Sequence, residues 1–474
     1  MLILYLICSF ILAGFIFFKK REKTSYVLFC LFLIFQISLT LYACVHRGEA
    51  DSSYFTFDSL GVILTCVLTL LSLATAYHEY LHVKRNKDDG RKIAIYHAAL
   101  IGLIVSMTAV YFAHHVGVMW VFIEATTLFV SALIYHNRTA YALEAAWKYT
   151  FICSVGVALA FMGILTLSIA WQGSGPMDLT FASLKEGAGQ LDPLWLKISF
   201  LLIFTGFSAK MGLFPLYTVC IDAHTASPAP ISAFISTALM NVGFLGIFRV
   251  YQVVARTNIF EWARHVLLIS GLLSIFIAAI YLLKVKNFKR MFAYSSLENM
   301  GIVAVSLACG SIGFFAATLH LIFHSLAKAS LFYQIGQFYS ITHTYEIEGS
   351  RDYFKQNPKG GLALIFALLS IMAIPPSGLF ISKFLVIQSL FLYHYAWLAV
   401  ILLCLILIIF FAFTKNIIYL LFLPGEKKDQ LSLVKINPWE TYSQFILLTL
   451  VIILGFFPPP FFTAILEAVI RESF

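Results

Sequence analysis

His320, His324 and Lys328 stand four residues apart within the apolar stretch ATLHLIFHSLAKASLFY. Steps of four place them on one face of a helix, roughly 6 Å apart. An imidazole can accept a proton at one nitrogen and donate one at the other. Two imidazoles and an amine in such a file therefore suit a proton relay. Glu124 lies mid-run in WVFIEATTLFVSALI, and Lys210 mid-run in LLIFTGFSAKMGLFPLY. A lysine buried among apolar groups has its pKa driven towards neutrality. Pairing Glu124 with Lys210 would favour both charged forms, and separating them would favour both neutral ones. Lys383 sits in IPPSGLFISKFLVI, while Glu298, in AYSSLENMGIVAV, is expected to be shallower, near the start of its run.

Each of these residues also has a plainer reading. A lone histidine in an apolar helix is often a hydrogen-bonding group between helices, although three ionisable residues in one file weaken that reading. Glu124 and Lys210 could form a static salt bridge. Lys148 and Lys415 lie near run ends, where a lysine can snorkel to the surface. For Lys415 the plain reading is preferred; for Lys148 both stand. Asp222 and His224 follow the seventh run in a Pro-rich turn and could be capping groups.

The elements that must position these groups follow from composition. Of 474 residues, 61% are hydrophobic and 12% charged, with a mean hydropathy of +0.89. Soluble domains carry roughly twice that share of charge. Apolar runs recur near the length of ~20 residues that spans a bilayer as a helix. The expected fold class is an all-α polytopic membrane protein of about fourteen spans, at 2–18, 26–45, 57–78, 93–112, 115–135, 147–170, 195–219, 229–254, 262–283, 290–309, 312–340, 361–392, 396–422 and 443–468. The first run lacks a basic leader and a small-residue cleavage site, so it reads as a membrane helix rather than a signal peptide. The seventh run contains Gly212 and Pro215, and the twelfth contains Pro375, Pro376 and Gly378. Such interruptions free backbone groups, which membrane depth tolerates only beside protein or water.

Lys and Arg gather in the loops after odd-numbered spans: Lys19, Lys20, Arg21 and Lys23; Lys84, Arg85, Lys87, Arg91 and Lys92; Lys284, Lys286, Lys289 and Arg290; Arg351, Lys355 and Lys359; Lys427, Lys428 and Lys435. The positive-inside rule puts these loops in the cytoplasm and both termini on the other side of a cell inner (plasma) membrane. The net charge of +9 is dispersed between apolar runs rather than gathered on a soluble face, which argues against nucleic acid. The eight cysteines are scattered without a CxxC pair, so neither a metal site nor an iron–sulfur cluster is expected. No loop is long enough for a nucleotide-binding fold, which excludes ATP-driven transport by this chain alone. Spans 4–8 and 9–13 divide into two five-helix units. An odd number of spans inverts the second relative to the first, a recurrent transporter plan. The domains read as 1–92 (three helices), 93–255 (first repeat), 256–422 (second repeat) and 423–474 (a final helix).

WVFIEATTLFVSALI and LEAAWKYTFICSVGVALAFMGI resemble the proton-translocating antiporter-like subunits of complex I and Mrp antiporters. So do AKMGLFPLYTVCIDAHTASPAPISA, NFKRMFAYSSLENMGIVAV, LHLIFHSLAKASLF and IPPSGLFISKFLV. Within that superfamily the resemblance is greatest to the hydrogenase-4 component F branch. It covers spans 5 to 12. It implies fourteen helices, two inverted repeats, broken helices 7 and 12, and a central hydrophilic axis. On that axis Glu124 and Lys210 would be the paired acid and lysine of a first half-channel. Lys148 would match a lysine found between them and the next element. His320, His324 and Lys328 would be the connecting relay, and Lys383 the gate of a second half-channel. Three positions depart from the pattern. Ser236 stands where several complex I relatives have a relay histidine, so water or Ser236 itself would bridge there. Lys383 stands where component F relatives more often carry Glu, and Asn299 where they tend to have His.

Three functions are in view. The first is a proton-translocating subunit of a multi-subunit complex I-like or hydrogenase-like assembly. This chain would hold no catalytic site and no cofactor, and any oxidoreductase chemistry would belong to partner membrane subunits. The second is Na⁺/H⁺ antiport or inorganic-carbon uptake with a soluble zinc-containing partner. Sodium prefers several oxygen ligands, and the nitrogen bases here favour protons. The third is a scaffold that conducts nothing.

Overall fold

The computed structural model describes residues 1–86, 88–173, 177–347, 353–422 and 436–473. The basic loop residues Lys87, Arg351, Lys427, Lys428 and Lys435 lie outside the described residues.

The chain is helical almost throughout. Two helices, α1 (Leu2–Lys19) and α2 (Glu22–Val45), lead into a two-stranded antiparallel hairpin of β1 (Ala50–Ser52) and β2 (Phe55–Thr56). Then come α3 (Ser59–Asn86), α4 (Gly90–Phe112), α5 (Val116–Ile134), α6 (Ala140–Ala170) and the short α7 (Phe181–Glu186). Next are α8 (Pro193–Met211), α9 (Thr218–Ala226), α10 (Ala229–Phe234), α11 (Met240–Val254), α12 (Phe260–Lys284) and α13 (Phe288–Leu307). The last are α14 (Gly310–Thr342), α15 (Tyr353–Gln356), α16 (Pro358–Ile371), α17 (Gly378–Leu392), α18 (Ala396–Phe422), α19 (Pro438–Phe456) and α20 (Pro460–Ser473). Among the described residues, twelve helices are long and apolar enough to cross a membrane, counting α10 and α11 with the π turn Ile235–Leu239 between them as one. The 20-residue α13 is not one of the twelve, and α16 and α17 are shorter apolar helices of 14 and 15 residues.

Polar residues start these helices where the apolar runs begin. An N-terminal turn leaves backbone N–H groups without intrahelical partners, which a side-chain oxygen can satisfy. Asp89 accepts from the Lys92 amide, Thr139 from Ala142, Asn287 from Arg290, and Ser377 from Leu379. Asp192 caps α8 twice, at Leu194 and Trp195, with Pro193 in the first turn. The far end of α8 is closed by Gly212, whose φ of +74° suits a residue without a Cβ.

The contacts divide into two compact units. The first comprises Met1–Ser227, Ala238–Val266 and Ala464–Phe474, and the second comprises Pro228–Thr237 and Leu267–Thr463. In the first unit α6 and α8 pack on small residues. A Cβ added to Gly206 would lie 2.8 Å from the Ala160 side chain, and one on Gly163 2.9 Å from the Ser199 carbonyl. Small residues let two backbones approach closely, as membrane helix pairs require. In the second unit α14 is the central element: its residues from Ala316 to Ile335 are buried without interruption, and α10, α13, α16, α17 and α19 pack around it.

Candidate proton-transfer site

In the first unit the close packing of α6 and α8 brings Tyr149 and Lys210 to the same place as α5. Lys210 is 1% exposed. Its Nζ donates to Thr127 Oγ1 at 2.7 Å, Thr126 Oγ1 at 3.2 Å and the Tyr149 hydroxyl at 3.3 Å. Glu124 does not meet Lys210 directly, which corrects the expected pair. Its Oε1 accepts from Ser154 Oγ at 2.7 Å and its Oε2 from Thr127 Oγ1 at 3.2 Å. Thr127 thus stands between base and acid. A hydroxyl has one proton to give and lone pairs to accept with, so Thr127 receives from the amine and gives to the carboxylate. A proton leaving Nζ can displace the hydroxyl proton onto Glu124 without the two charged side chains touching.

Lys210 owes its position to three local features. It lies in the last turn of α8, where unpaired carbonyls favour a cation. Thr126 and Thr127 face it from α5. Behind it Gly243 of α11 packs so tightly that an added Cβ would lie 2.8 Å from the Lys210 carbonyl carbon.

The second unit holds a closed ring of side chains on α13, α14 and α17. Lys383 Nζ meets Glu298 Oε1 at 2.8 Å, an ion pair with side chains 7% and 2% exposed. Asn299 Nδ2 donates to Glu298 Oε2 at 3.3 Å, and Asn299 Oδ1 lies 3.0 Å from His320 Nε2. His320 Nδ1 is 2.9 Å from Ser382 Oγ, beside Lys383 in the chain. Glu298 is the eleventh residue of α13 and buried, not near the start of its run as its sequence position suggested. A space of about 10 Å³, of the order of one water, reaches Glu298 and Lys383 between Ile406, Ile409 and Phe413.

Ser382 makes this ring sensitive to where its proton sits. Its hydroxyl is also within 3.0 Å of the Leu379 carbonyl. With His320 neutral and Nε2–H donating to Asn299, Ser382 donates to Nδ1. With both ring nitrogens protonated, Nδ1–H donates to Ser382, whose own proton turns to Leu379.

From His320 the file continues along α14. The His320 and His324 rings stack with centroids 6.4 Å apart. Lys328 Nζ donates to the Phe292 carbonyl at 2.7 Å, and that carbonyl also accepts from Ser296 Oγ at 3.2 Å. Ser236 Oγ lies 2.6 Å from Ser296 Oγ, both buried. The stripe Phe292, Ser296, Asn299 on α13 thus runs antiparallel to Lys328, His324, His320 on α14. Of the expected residues, Lys148 is not brought to either cluster. It is half exposed on α6 and paired with Glu144 one turn away at 2.5 Å.

Several participants escaped the sequence reading. Thr127 follows Glu124 by three residues and so shares its helix face, a signal that could have found it. Tyr149, Ser154 and Ser382 had none. A cavity of about 430 Å³ in the first unit is lined by Asp58, Arg249, Arg256, Glu472 and Lys185, the last on the short α7 outside the membrane-spanning segments. Burial and the neighbouring Arg249 and Arg256 push the Lys185 amine down to about 8.

The NADH:quinone oxidoreductase/Mrp antiporter transmembrane family matches residues 113–409, more than half of the chain. The chain belongs to this family. It is an antiporter-like, proton-translocating membrane subunit of a multi-subunit assembly of the complex I or hydrogenase-4 kind. A hydrogenase-4 component F homolog from Methylacidiphilum infernorum (isolate V4) is 33% identical over 368 residues, covering 76% of this chain and 77% of that protein. The same fold occurs in the membrane-bound sulfane sulfur reductase, an archaeal respiratory membrane complex, with a TM-score of 0.88 at 21% identity over 100% of this chain and 97% of that one. It also occurs in the Mrp complex from Dietzia sp. DQ12-45-1b, with a TM-score of 0.85 at 14% identity over 100% and 96% of the two chains. The family's matched segment contains every residue of both clusters.

Proposed function

We propose that this chain moves protons through two titratable clusters, Glu124–Thr127–Lys210 and the file from Ser236 through Lys328, His324 and His320 to Glu298 and Lys383. Protonation alternates between the clusters, driven by redox chemistry in partner membrane subunits. The observation that carries this reading is the buried Lys383–Glu298 pair held through Asn299 to His320. Three contacts there join two acid–base groups and an imidazole, so protonating one changes what the next must donate or accept.

On this reading the shorter helices complete the span count. α16 and α17 together make one interrupted span and α13 a further one, which with the twelve gives fourteen, ten of them in two inverted five-helix repeats over 93–255 and 256–422; α8, already counted, is interrupted before α9. Residues 1–92 precede them and 423–474 follow. The basic loops put both termini on the non-cytoplasmic side. H⁺ rather than Na⁺ is the ion, because nitrogen bases outnumber carboxylates along the file, and a hard cation needs several oxygen ligands.

The test uses Lys210→Ala and Lys383→Ala in the whole complex, with assembly and proton flux into vesicles measured on the same preparations. Normal assembly with flux lost in both supports the proposal. Unchanged flux, with or without disturbed assembly, leaves a scaffold. Flux that requires Na⁺ on one side would replace the proton with an exchange of the two ions.

A further inference from the structure

The first four membrane helices hold a polar file of their own. On α3, Thr65, Thr69, Ser72, Thr75 and Glu79 are spaced by four, three, three and four residues, and all are buried. That spacing keeps them on one helix face over about 21 Å. Midway, Gln36 of α2 donates to Thr69 at 3.1 Å and to Thr108 of α4 at 3.4 Å, and accepts from the Tyr5 hydroxyl of α1. Thr40 joins Thr69 at 2.7 Å.

The file ends on a titratable pair. Glu79 is 0% exposed, and its Oε2 lies 3.2 Å from His97 Nε2, while His97 Nδ1 is 2.7 Å from Ser25 Oγ. The second oxygen, Oε1, is buried with no hydrogen-bond partner. The His97 ring stacks on Phe29 at 4.5 Å and takes the edge of Tyr26 at 4.8 Å. Hydroxyls alone would serve as glue between membrane helices. A carboxyl with one oxygen unsatisfied is costly there, and cohesion does not require it. Protonation of the carboxyl removes its charge and with it most of that cost.

The pair is near the surface through a second set of groups. Tyr96 lies between His97 and His136, its ring 6.2 Å from the first and 4.8 Å from the second. His136 meets Asp88 at 3.0 Å, and Asp88 also meets Lys92 at 3.6 Å. The other charged or titratable groups around the pair are Glu22 and Tyr26 of α2 and His78, Tyr80 and Arg85 of α3. From α1 only the terminal Lys19 and Lys20 are charged, at its end before α2.

We propose that Glu79 and His97 form a second proton-holding site, loaded from the Asp88–His136 rim and emptied inward along the α3 hydroxyls. One proton moves between His97 Nε2 and Glu79 Oε2, converting imidazolium and carboxylate to imidazole and carboxylic acid. A second, taken from His136 or water at the rim, then reprotonates the ring. The proposal rests on the proton-moving reading above for its purpose, but the holding of a proton does not.

The test is infrared difference spectroscopy of the intact complex on a pH step, together with proton flux. The C=O band of a protonated carboxylic acid is expected in the wild type and in Lys210→Ala, and is lost in Glu79→Gln. Flux is expected to fall about tenfold in Glu79→Gln. A band unchanged in Glu79→Gln overturns the site. A band lost with flux unchanged overturns the inward transfer. Should Glu79→Gln fail to assemble, His97→Gln keeps both hydrogen bonds without an ionisable ring, and the band must shift; an unshifted band overturns the proposal. Loss of flux in Lys210→Ala with the band retained separates this site from the axis of the main proposal.

Discussion

The two buried lysines of the central clusters are held in different ways. Lys210 ends its helix, where the carbonyls of the last turn favour its charge, and its acid stays one hydroxyl away. Lys383 stands six residues into α17, beyond any such terminus, and its acid makes direct contact at 2.8 Å. A buried ammonium needs compensation from somewhere. Where the helix end supplies part of it, the carboxylate can be held off; where it does not, the carboxylate must close in. On the proposed function, the first arrangement would leave a proton free to shuttle through Thr127, and the second would lock charge until the ring through Asn299 and His320 rearranges.

The largest effect that would break this contrast is on stability. Removing one partner of a buried direct pair costs about 3–5 kcal/mol, because the other charge is left uncompensated. Losing a donor to hydroxyls costs about 1–3 kcal/mol. Lys383→Ala should therefore lower the unfolding free energy of the purified complex well below that of Lys210→Ala, though both lose proton flux. Equal losses would mean that the two lysines are held alike. Glu298→Gln with Lys383→Met should restore most of the stability and none of the flux.

Thr127→Val comes next. It deletes the hydroxyl between Lys210 and Glu124 while keeping the shape, and flux should fall about tenfold, the worth of one hydrogen bond of about 1.4 kcal/mol to a charged group. No change would show that water carries the proton past Thr127. Ser382→Ala has a smaller expected effect, about threefold in flux, with a changed pH profile because His320 loses the partner that distinguishes its charged from its neutral form. A uniform loss at all pH values would make Ser382 a packing residue.

The smallest effect lies at the Lys185 cavity. Its folded pKa of about 8 lies below the ordinary 10.5, so the unfolded chain binds more protons between those values. The cost of its charge is present in full below pH 8, and stability should rise as pH increases from about 8 to 10.5. Lys185→Gln should flatten that slope in thermal unfolding across the same range.

Much of the central file was legible because a charge inside an apolar run stands out. Lys210, Lys383 and the His320–His324–Lys328 stripe are of that kind. The partners were less visible: Ser154, Ser382 and Tyr149 are ordinary residues in membrane helices, and only the fold makes them neighbours. Glu298 was misplaced in depth: Asn287 caps a helix that begins at Phe288, before the expected span at 290, and most of the polar start of that helix is buried along with Glu298. The Glu79–His97 pair was hidden for a related reason. Glu79 is the second residue of the polar tail HEYLHVKRN, which hydropathy reads as loop, but α3 runs on to Asn86. The direct Glu124–Lys210 contact was a reasonable expectation from charge alone. It fails because α5 offers Thr126 and Thr127 first.

Gly243 has no chemistry of its own, yet it leaves no room for a side chain behind the Lys210 carbonyl. Replacing it with alanine, the mildest change available, would displace the amine from its threonines as surely as shortening the lysine. A survey of inactive variants should recover this position beside the charged ones, and a designer wishing to retune the first cluster has less freedom in its backing than in its ligands.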